Sequence, residues 1–113
     1  MKNKIIEYFK RNGGIGISFA ELSKRIEGFN GEIAMTFSKK PNLVMWAGMS
    51  REAFDAMREL MEERKISITS TTQLVYLIDG MSLQLPIAKR FKDYKKEHWL
   101  PVTMRLMRDN KNA

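Results

Sequence analysis

ISITSTTQLVYLIDGMSLQLP, residues 66–86, is where the apolar period of the chain changes. Before it, apolar residues recur at helical spacing. From Ile66 they alternate, Ile66 and Ile68 with Ser67 and Thr69, as on a strand with one covered face. QLVYLI (73–78) is almost continuously apolar, which suits a strand covered on both faces. Asp79-Gly80 is the strongest hairpin signal in the chain, because a type I′ turn requires positive φ at both central residues. A two-residue loop there pairs Ile78 with Met81, Tyr76 with Leu83 and Leu74 with Leu85. All six then share one sheet face, so the register is self-consistent. Pro86 closes the second strand. The stretch reads as a β-hairpin.

Upstream of the hairpin, residues 51–64 read as an amphipathic helix opened by Ser50. Met49 and Phe54 can staple its start, Glu52 and Asp55 suit the positive end of its dipole, and Ala53, Phe54, Met57, Leu60 and Met61 form its buried stripe. Two apolar pieces precede it, EIAMTF (32–37) and NLVMW (42–46), joined by SKKP. They read as another hairpin, with Pro41 in the loop. Further back, Ser18 and Glu21 have the S-x-x-E spacing of a capping box, and Ile17 and Leu22 that of a hydrophobic staple. Phe19, Leu22 and Ile26 continue that helix to Gly28. Residues 2–12 read as a first helix, with Ile5, Ile6 and Phe9 on one face, stopped by Gly13-Gly14. Ile15 to Ile17 is a short extended piece. Downstream, 87–99 is basic and irregular. Residues 100–107 fit a strand through Val102, Met104 and Leu106, or a helix through Leu100, Met104 and Met107; the alternation favours a strand. The tail 109–113 is expected to fray.

The chain has 113 residues, enough for one core, here placed over residues 1–108. Hydrophobic content of 43% and charged content of 29% are globular values. The net charge of +7 points to an anionic partner, nucleic acid or an acidic protein. There is no cysteine, which excludes disulfides and thiolate chemistry. Glu7 interrupts the only early apolar run, so no signal-peptide core forms, and no segment approaches the ~18 apolar residues of a membrane span. A soluble, cytoplasmic protein is the expectation.

Helix, short strand, capped helix, then an amphipathic helix running into a hairpin is an order that resembles the winged helix-turn-helix family. The carrying residues are 15–26, 49–64 and the hairpin at 66–86, which would be the wing. The resemblance implies an α+β, winged-helix-like fold: three helices, an extra hairpin between the second and third, and a C-terminal wing. It also implies DNA binding, with the third helix in the major groove and the wing on the backbone or minor groove. The chain resembles, besides, the small proteins found in bacterial prophages. Two features depart from the family. About twenty residues separate the second and third helices, where the family has a short turn. Residues 51–65 carry four cations against five carboxylates, and carboxylates facing a groove repel phosphate.

The charge lies elsewhere. Residues 89–108 hold seven cations against Asp93 and Glu97, five units of the chain's excess. Phe91, Tyr94 and Trp99 are interleaved with them. Cations bind phosphate, and flat rings stack on unpaired bases for about 1–3 kcal/mol each. The alternative is a solvated linker whose rings fold back onto the core. Trp99, before Leu100-Pro101, suits a core anchor. The candidate nucleic-acid-binding residues are Lys89, Arg90, Lys92, Lys95, Lys96 and Tyr94, with Lys39 and Lys40 in the first hairpin loop. The start of the helix at Ser18 could receive one phosphate on its backbone donors.

No constellation marks an enzyme. GGIG (13–16) lacks the lysine and hydroxyl of a Walker loop. His98 is the only histidine, too few nitrogens for a zinc site, and it has no serine motif near it. No cofactor is expected. Nine methionines serve chiefly as core filling, with Met104 and Met107 open to a pliable protein-binding role. The expected function is non-enzymatic binding of nucleic acid, double-stranded DNA in particular, driven by backbone charge. The alternative is a protein-interaction or adaptor module on the same scaffold.

Overall fold

The computed structural model describes residues 1–108; the tail expected to fray, 109–113, lies outside the described residues. The elements in chain order are α1 (Lys2–Arg11), β1 (Ile15–Ser18), α2 (Phe19–Arg25), β2 (Asn30–Phe37), β3 (Lys40–Met49), α3 (Arg51–Glu62), β4 (Ile66–Ser70), α4 (Gln73–Asp79), β5 (His98–Trp99) and β6 (Val102–Leu106). The described residues form an α+β fold of four helices and two three-stranded sheets, ordered β1-β6-β4 and β2-β3-β5.

The stretch 66–86 does not form a hairpin. Only Ile66–Ser70 is a strand, and it pairs antiparallel with β6, Ile68 opposite Met104. QLVYLID is a helix instead. A continuous apolar run has no period of its own and fits either state. The Asp-Gly pair is equally ambiguous, since Gly80 has positive φ in both readings. Here Gly80, at φ 84° and ψ 14°, ends α4 in a Schellman arrangement. Its N–H donates to the Leu77 carbonyl at 3.1 Å, and the Met81 N–H reaches back to the Tyr76 carbonyl at 3.1 Å. Asp79, which a type I′ turn would also require at positive φ, is helical.

Tertiary contacts decide the matter. Tyr76 is fully buried, and its hydroxyl accepts from the Phe19 N–H at 3.1 Å and donates to the Val102 carbonyl at 2.6 Å. The Asp79 carboxylate accepts from the Ser18 hydroxyl at 2.5 Å. Helical spacing turns Tyr76 inward and leaves Leu74, Leu77 and Ile78 exposed. The expected pairing of Leu74 with Leu85 and Ile78 with Met81 on a common covered face is therefore corrected.

Elsewhere the helix starts are where the sequence puts them, but α2 ends at Arg25 and not at Gly28, with Ile26 extended at φ −106° and ψ 115°. Ser18 Oγ caps α2 by accepting from the Glu21 N–H at 3.0 Å. The return half of the capping box is absent, because the Glu21 carboxylate accepts from the Tyr8 hydroxyl instead. Ser50 Oγ caps α3 from the Ala53 N–H at 3.1 Å and donates to the Gly28 carbonyl at 2.6 Å. Ala53, Ala56, Met57 and Leu60 are the buried face of α3, while Phe54 and Met61 are only half-buried. The expected hairpin between α2 and α3 is present as β2 and β3, longer than its apolar pieces suggested. Its loop is Ser38-Lys39, so Pro41 lies just inside β3. Residues 102–106 are a strand, the centre of the first sheet.

A ring cluster packs α2 and α4 against the β2-β3-β5 sheet, and the Tyr76 hydroxyl links it to Val102 of the other sheet. Trp46 of β3 stacks on Phe19 at 6.2 Å and lies 5.2 Å from Tyr76, which meets Trp99 of β5 edge-on at 4.9 Å and 84°. Trp99 is fully buried, a core anchor. Edge-to-face ring pairs contribute about 0.5–1.5 kcal/mol beyond their buried area. No described helix is long and apolar enough to cross a membrane.

Candidate nucleic-acid interface

The basic segment is a loop with a closed base. Ile87 bridges to Trp99, with the Ala88 N–H donating to the Trp99 carbonyl and the Trp99 N–H to the Pro86 carbonyl, both at 2.8 Å. His98 and Trp99 then pair in parallel with Leu43 and Val44 of β3. The chain leaves at Ala88, carries Lys89 to Glu97 outward, and returns to its starting point. Both ends are fixed to sheet and core, so the loop is held rather than trailing.

Three contacts lay this loop against the β2–β3 hairpin. The Asn42 amide donates to the Tyr94 carbonyl at 2.7 Å. The Lys40 ammonium meets the Asp93 carboxylate at 3.2 Å. Phe91 and Phe37 form an edge-to-face pair at 5.3 Å. Residues more than fifty apart in sequence thus share one surface. The Lys39-Lys40 hairpin end joins Lys89, Arg90, Lys92, Lys95 and Lys96: seven cations against Asp93 and Glu97, a local excess of five. All but Lys40 are exposed, and Lys40 is half-buried. The Lys40–Asp93 pair leaves the Asp93 side chain 82% exposed. Such an exposed pair contributes about 0–1 kcal/mol to stability, and its two charges already offset each other in the excess of five.

The aromatic residues divide. Tyr94 stacks on His98 at 4.0 Å and 22°, and its hydroxyl bonds to the Arg90 backbone on both sides, accepting from N–H at 3.3 Å and donating to C=O at 3.2 Å. The Lys92 ammonium lies 4.9 Å from its ring centre. His98 is fixed in turn by its Nδ1 contact with the Lys96 carbonyl at 2.8 Å. Tyr94 therefore organises the loop from within. Phe91 has only the Phe37 edge and the Lys40 ammonium, 5.2 Å from its centre, and stays 59% exposed. The sequence offers Phe91 among the rings interleaved with the cations, but the ring it puts forward for stacking is Tyr94, and local pattern does not separate the two.

Other expected features fall away from this surface. Arg105 lies on β6, opposite Ile15 and Ser67 in the other sheet. The charges of α3 pair among themselves and with α1: Arg58 with Asp55 and Glu62, Arg51 with Asp55, and Lys2 with Glu59 and Glu63. The Lys2 partner holds the exposed Glu63 carboxyl below its ordinary value. The expected phosphate site at the start of α2 is corrected. Ser18 is buried, the Phe19 donor is taken by Tyr76 and the Glu21 donor by Ser18, and the Asp79 carboxylate stands where an anion would. With 66–86 not a hairpin, no wing exists there to touch a backbone. Among the described residues no group of three or more His, Cys, Asp or Glu side chains could hold a metal ion.

The chain matches no family description, no curated protein and no solved structure.

Proposed function

We propose that the protein is a non-enzymatic nucleic-acid-binding module that uses the closed basic loop 89–97 together with the Lys39-Lys40 hairpin end. The observation that carries the reading is the local excess of five positive charges on two segments bonded to each other. Phosphate neutralisation by lysine and arginine supplies most of the non-specific affinity for nucleic acid. A cation cluster on a pinned loop loses less freedom on binding than one on a free tail. The ligand is recognised through its backbone, since the cations of this surface lie on a loop and a hairpin end and not on a helix that could enter a groove.

The winged-helix relationship belongs to this proposal on a narrower footing. What supports it is the antiparallel order β1-β6-β4 together with the sequence α1, β1, α2, α3. Between β4 and β6, where the family has its wing, this chain has α4 and the basic loop. In this reading the loop does the work of a wing with a different local structure. A prophage origin and a cytoplasmic setting accord with a small DNA-associated protein.

The test is the triple variant Lys92→Ala, Lys95→Ala, Lys96→Ala. Phosphate contacts position without reading bases. The variant should weaken binding alike on unrelated oligonucleotides, and its fold should persist because exposed lysines contribute within about ±0.5 kcal/mol. Undiminished binding by the variant removes this loop from the function.

A second reading, a protein-interaction module, has one observation of its own. Leu74 (60%), Leu77 (56%) and Ile78 (76%) stand exposed on one face of α4. Gel filtration of the parent beside Leu77→Lys, Ile78→Lys separates the readings. Self-association lost in the variant, with no nucleic-acid binding by the parent, favours the second.

A further inference from the structure

Phe91 is the anomaly of the basic surface. A large ring in a strongly charged loop is expected to fold back, as Tyr94 does on His98. Phe91 keeps 59% of its surface open although both ends of its loop are pinned. Beside it lies a groove between the two sheets. Phe37, Ile68, Leu100 and Val102 supply the apolar lining, Ser70 a hydroxyl, and Lys89 and Arg90 the charged rim. Apolar lining, an open ring and a cationic rim match the chemistry of an unstacked nucleotide, with a flat apolar face and an anionic backbone beside it.

A duplex makes poor use of such a place. Its bases are stacked on one another and present only edges and phosphates, so the ring and the groove would meet water or sugar. Proteins that hold single strands combine a cationic track with aromatic side chains on which bases stack. We infer that the ligand is single-stranded nucleic acid, with Phe91 as its stacking residue and the Phe37–Val102 groove receiving the adjoining nucleotide. The inference rests on the nucleic-acid reading above and replaces the duplex expected from charge alone. Lys40, held 5.2 Å from the Phe91 ring, steadies the platform and offers its charge to the same strand. The platform stacks any base, so the surface binds with little sequence preference.

The experiment uses the full chain and fluorescently labelled oligothymidine and oligouridine of about 16 nucleotides, beside a duplex of similar length. The parent should bind both single strands more tightly than the duplex. Phe91→Ala should weaken single-strand binding by about 5- to 150-fold, the value of one lost base stack, and leave duplex binding within about twofold. Phe91→Leu, which keeps apolar bulk without a flat ring, should behave like Phe91→Ala, and Phe91→Trp should restore binding. Equal affinity of the parent for thymidine and uridine strands assigns the contact to base and phosphate, and a preference that persists between oligouridine and oligodeoxyuridine, which share one base, identifies the natural strand through its 2′ position. Circular dichroism should be unchanged in all three variants, and the thermal midpoint of Phe91→Ala and Phe91→Leu should fall by no more than several degrees as the Phe37 edge contact is lost. Phe91→Ala that binds single strands as well as the parent overturns this inference and leaves the proposed function standing. A parent that binds neither single strand nor duplex overturns both.

Discussion

Replacing Tyr76 by phenylalanine removes one oxygen and leaves the packed ring in place. That oxygen joins three elements: it accepts from the first backbone donor of α2, Phe19 N–H at 3.1 Å, and donates to the Val102 carbonyl of β6 at 2.6 Å. The residue is fully buried, and desolvation raises its phenol well above its ordinary value. Neither backbone partner has easy access to water once the hydroxyl is gone. Each such bond contributes about 0.5–1.5 kcal/mol net, so the pair should contribute about 1–3 kcal/mol. Phenylalanine creates no cavity, and the loss is therefore polar alone. Urea denaturation followed by tryptophan fluorescence measures it. At an m-value of about 1–3 kcal/mol/M the midpoint should fall by on the order of 1 M, with m unchanged. A shift under about 0.5 kcal/mol would mean that the hydroxyl faces water, and would refute the helical placement of 73–79.

Gly31→Ala should destabilise by about 1–3 kcal/mol or more, because an added Cβ would sit 2.6 Å from Ser50 Cα and 2.7 Å from the Met49 carbonyl oxygen, both backbone atoms; an unchanged thermal midpoint contradicts that close approach. Arg64→Gly should stabilise by about 0.5–1 kcal/mol, since Arg64 ends α3 at φ 59°, where glycine carries no Cβ penalty; chemical denaturation that finds a loss instead would show the arginine to be held there by contacts worth more than the strain. Burial first, and then the bond to Glu21, pushes the Tyr8 phenol up to about 12. The folded chain keeps a proton that the unfolded chain loses near pH ~10, so this contribution is full below pH ~10 and is lost as pH rises through ~12. Stability curves for parent and Tyr8→Phe should converge over that window, and parallel curves would contradict the shift.

The parts of the fold that could be read from sequence are those fixed by neighbours in sequence. Ser18 and Ser50 each cap a helix through a donor three residues ahead, and both were legible. The hairpin between α2 and α3 was legible because two apolar pieces flank a polar loop. Residues 73–80 were not, because their run is apolar throughout and Gly80 has positive φ in a turn or at a helix end. Contacts with Phe19, Val102 and Ser18, none of them near in sequence, select the helix. The site divides in the same way. Counting charges located the 89–96 segment. Its union with Lys39 and Lys40 depends on the parallel pairing of β5 with β3 and on the Asn42–Tyr94 bond, which no local pattern encodes. The different fates of Phe91 and Tyr94 follow from whether a partner ring lies two strands away or four residues on.

The salt dependence of binding tests the central claim most directly. Labelled single-stranded and duplex oligonucleotides should be titrated with the parent protein at several salt concentrations, and log Kobs plotted against log salt. Backbone binding predicts a straight line with slope of about −0.7 per phosphate contact on the single strand and about −0.9 on the duplex. The triple lysine variant should flatten the slope by up to about three contacts' worth. A parent that shows no binding at low salt, or binding whose slope is near zero and unmoved by the three substitutions, would contradict the account.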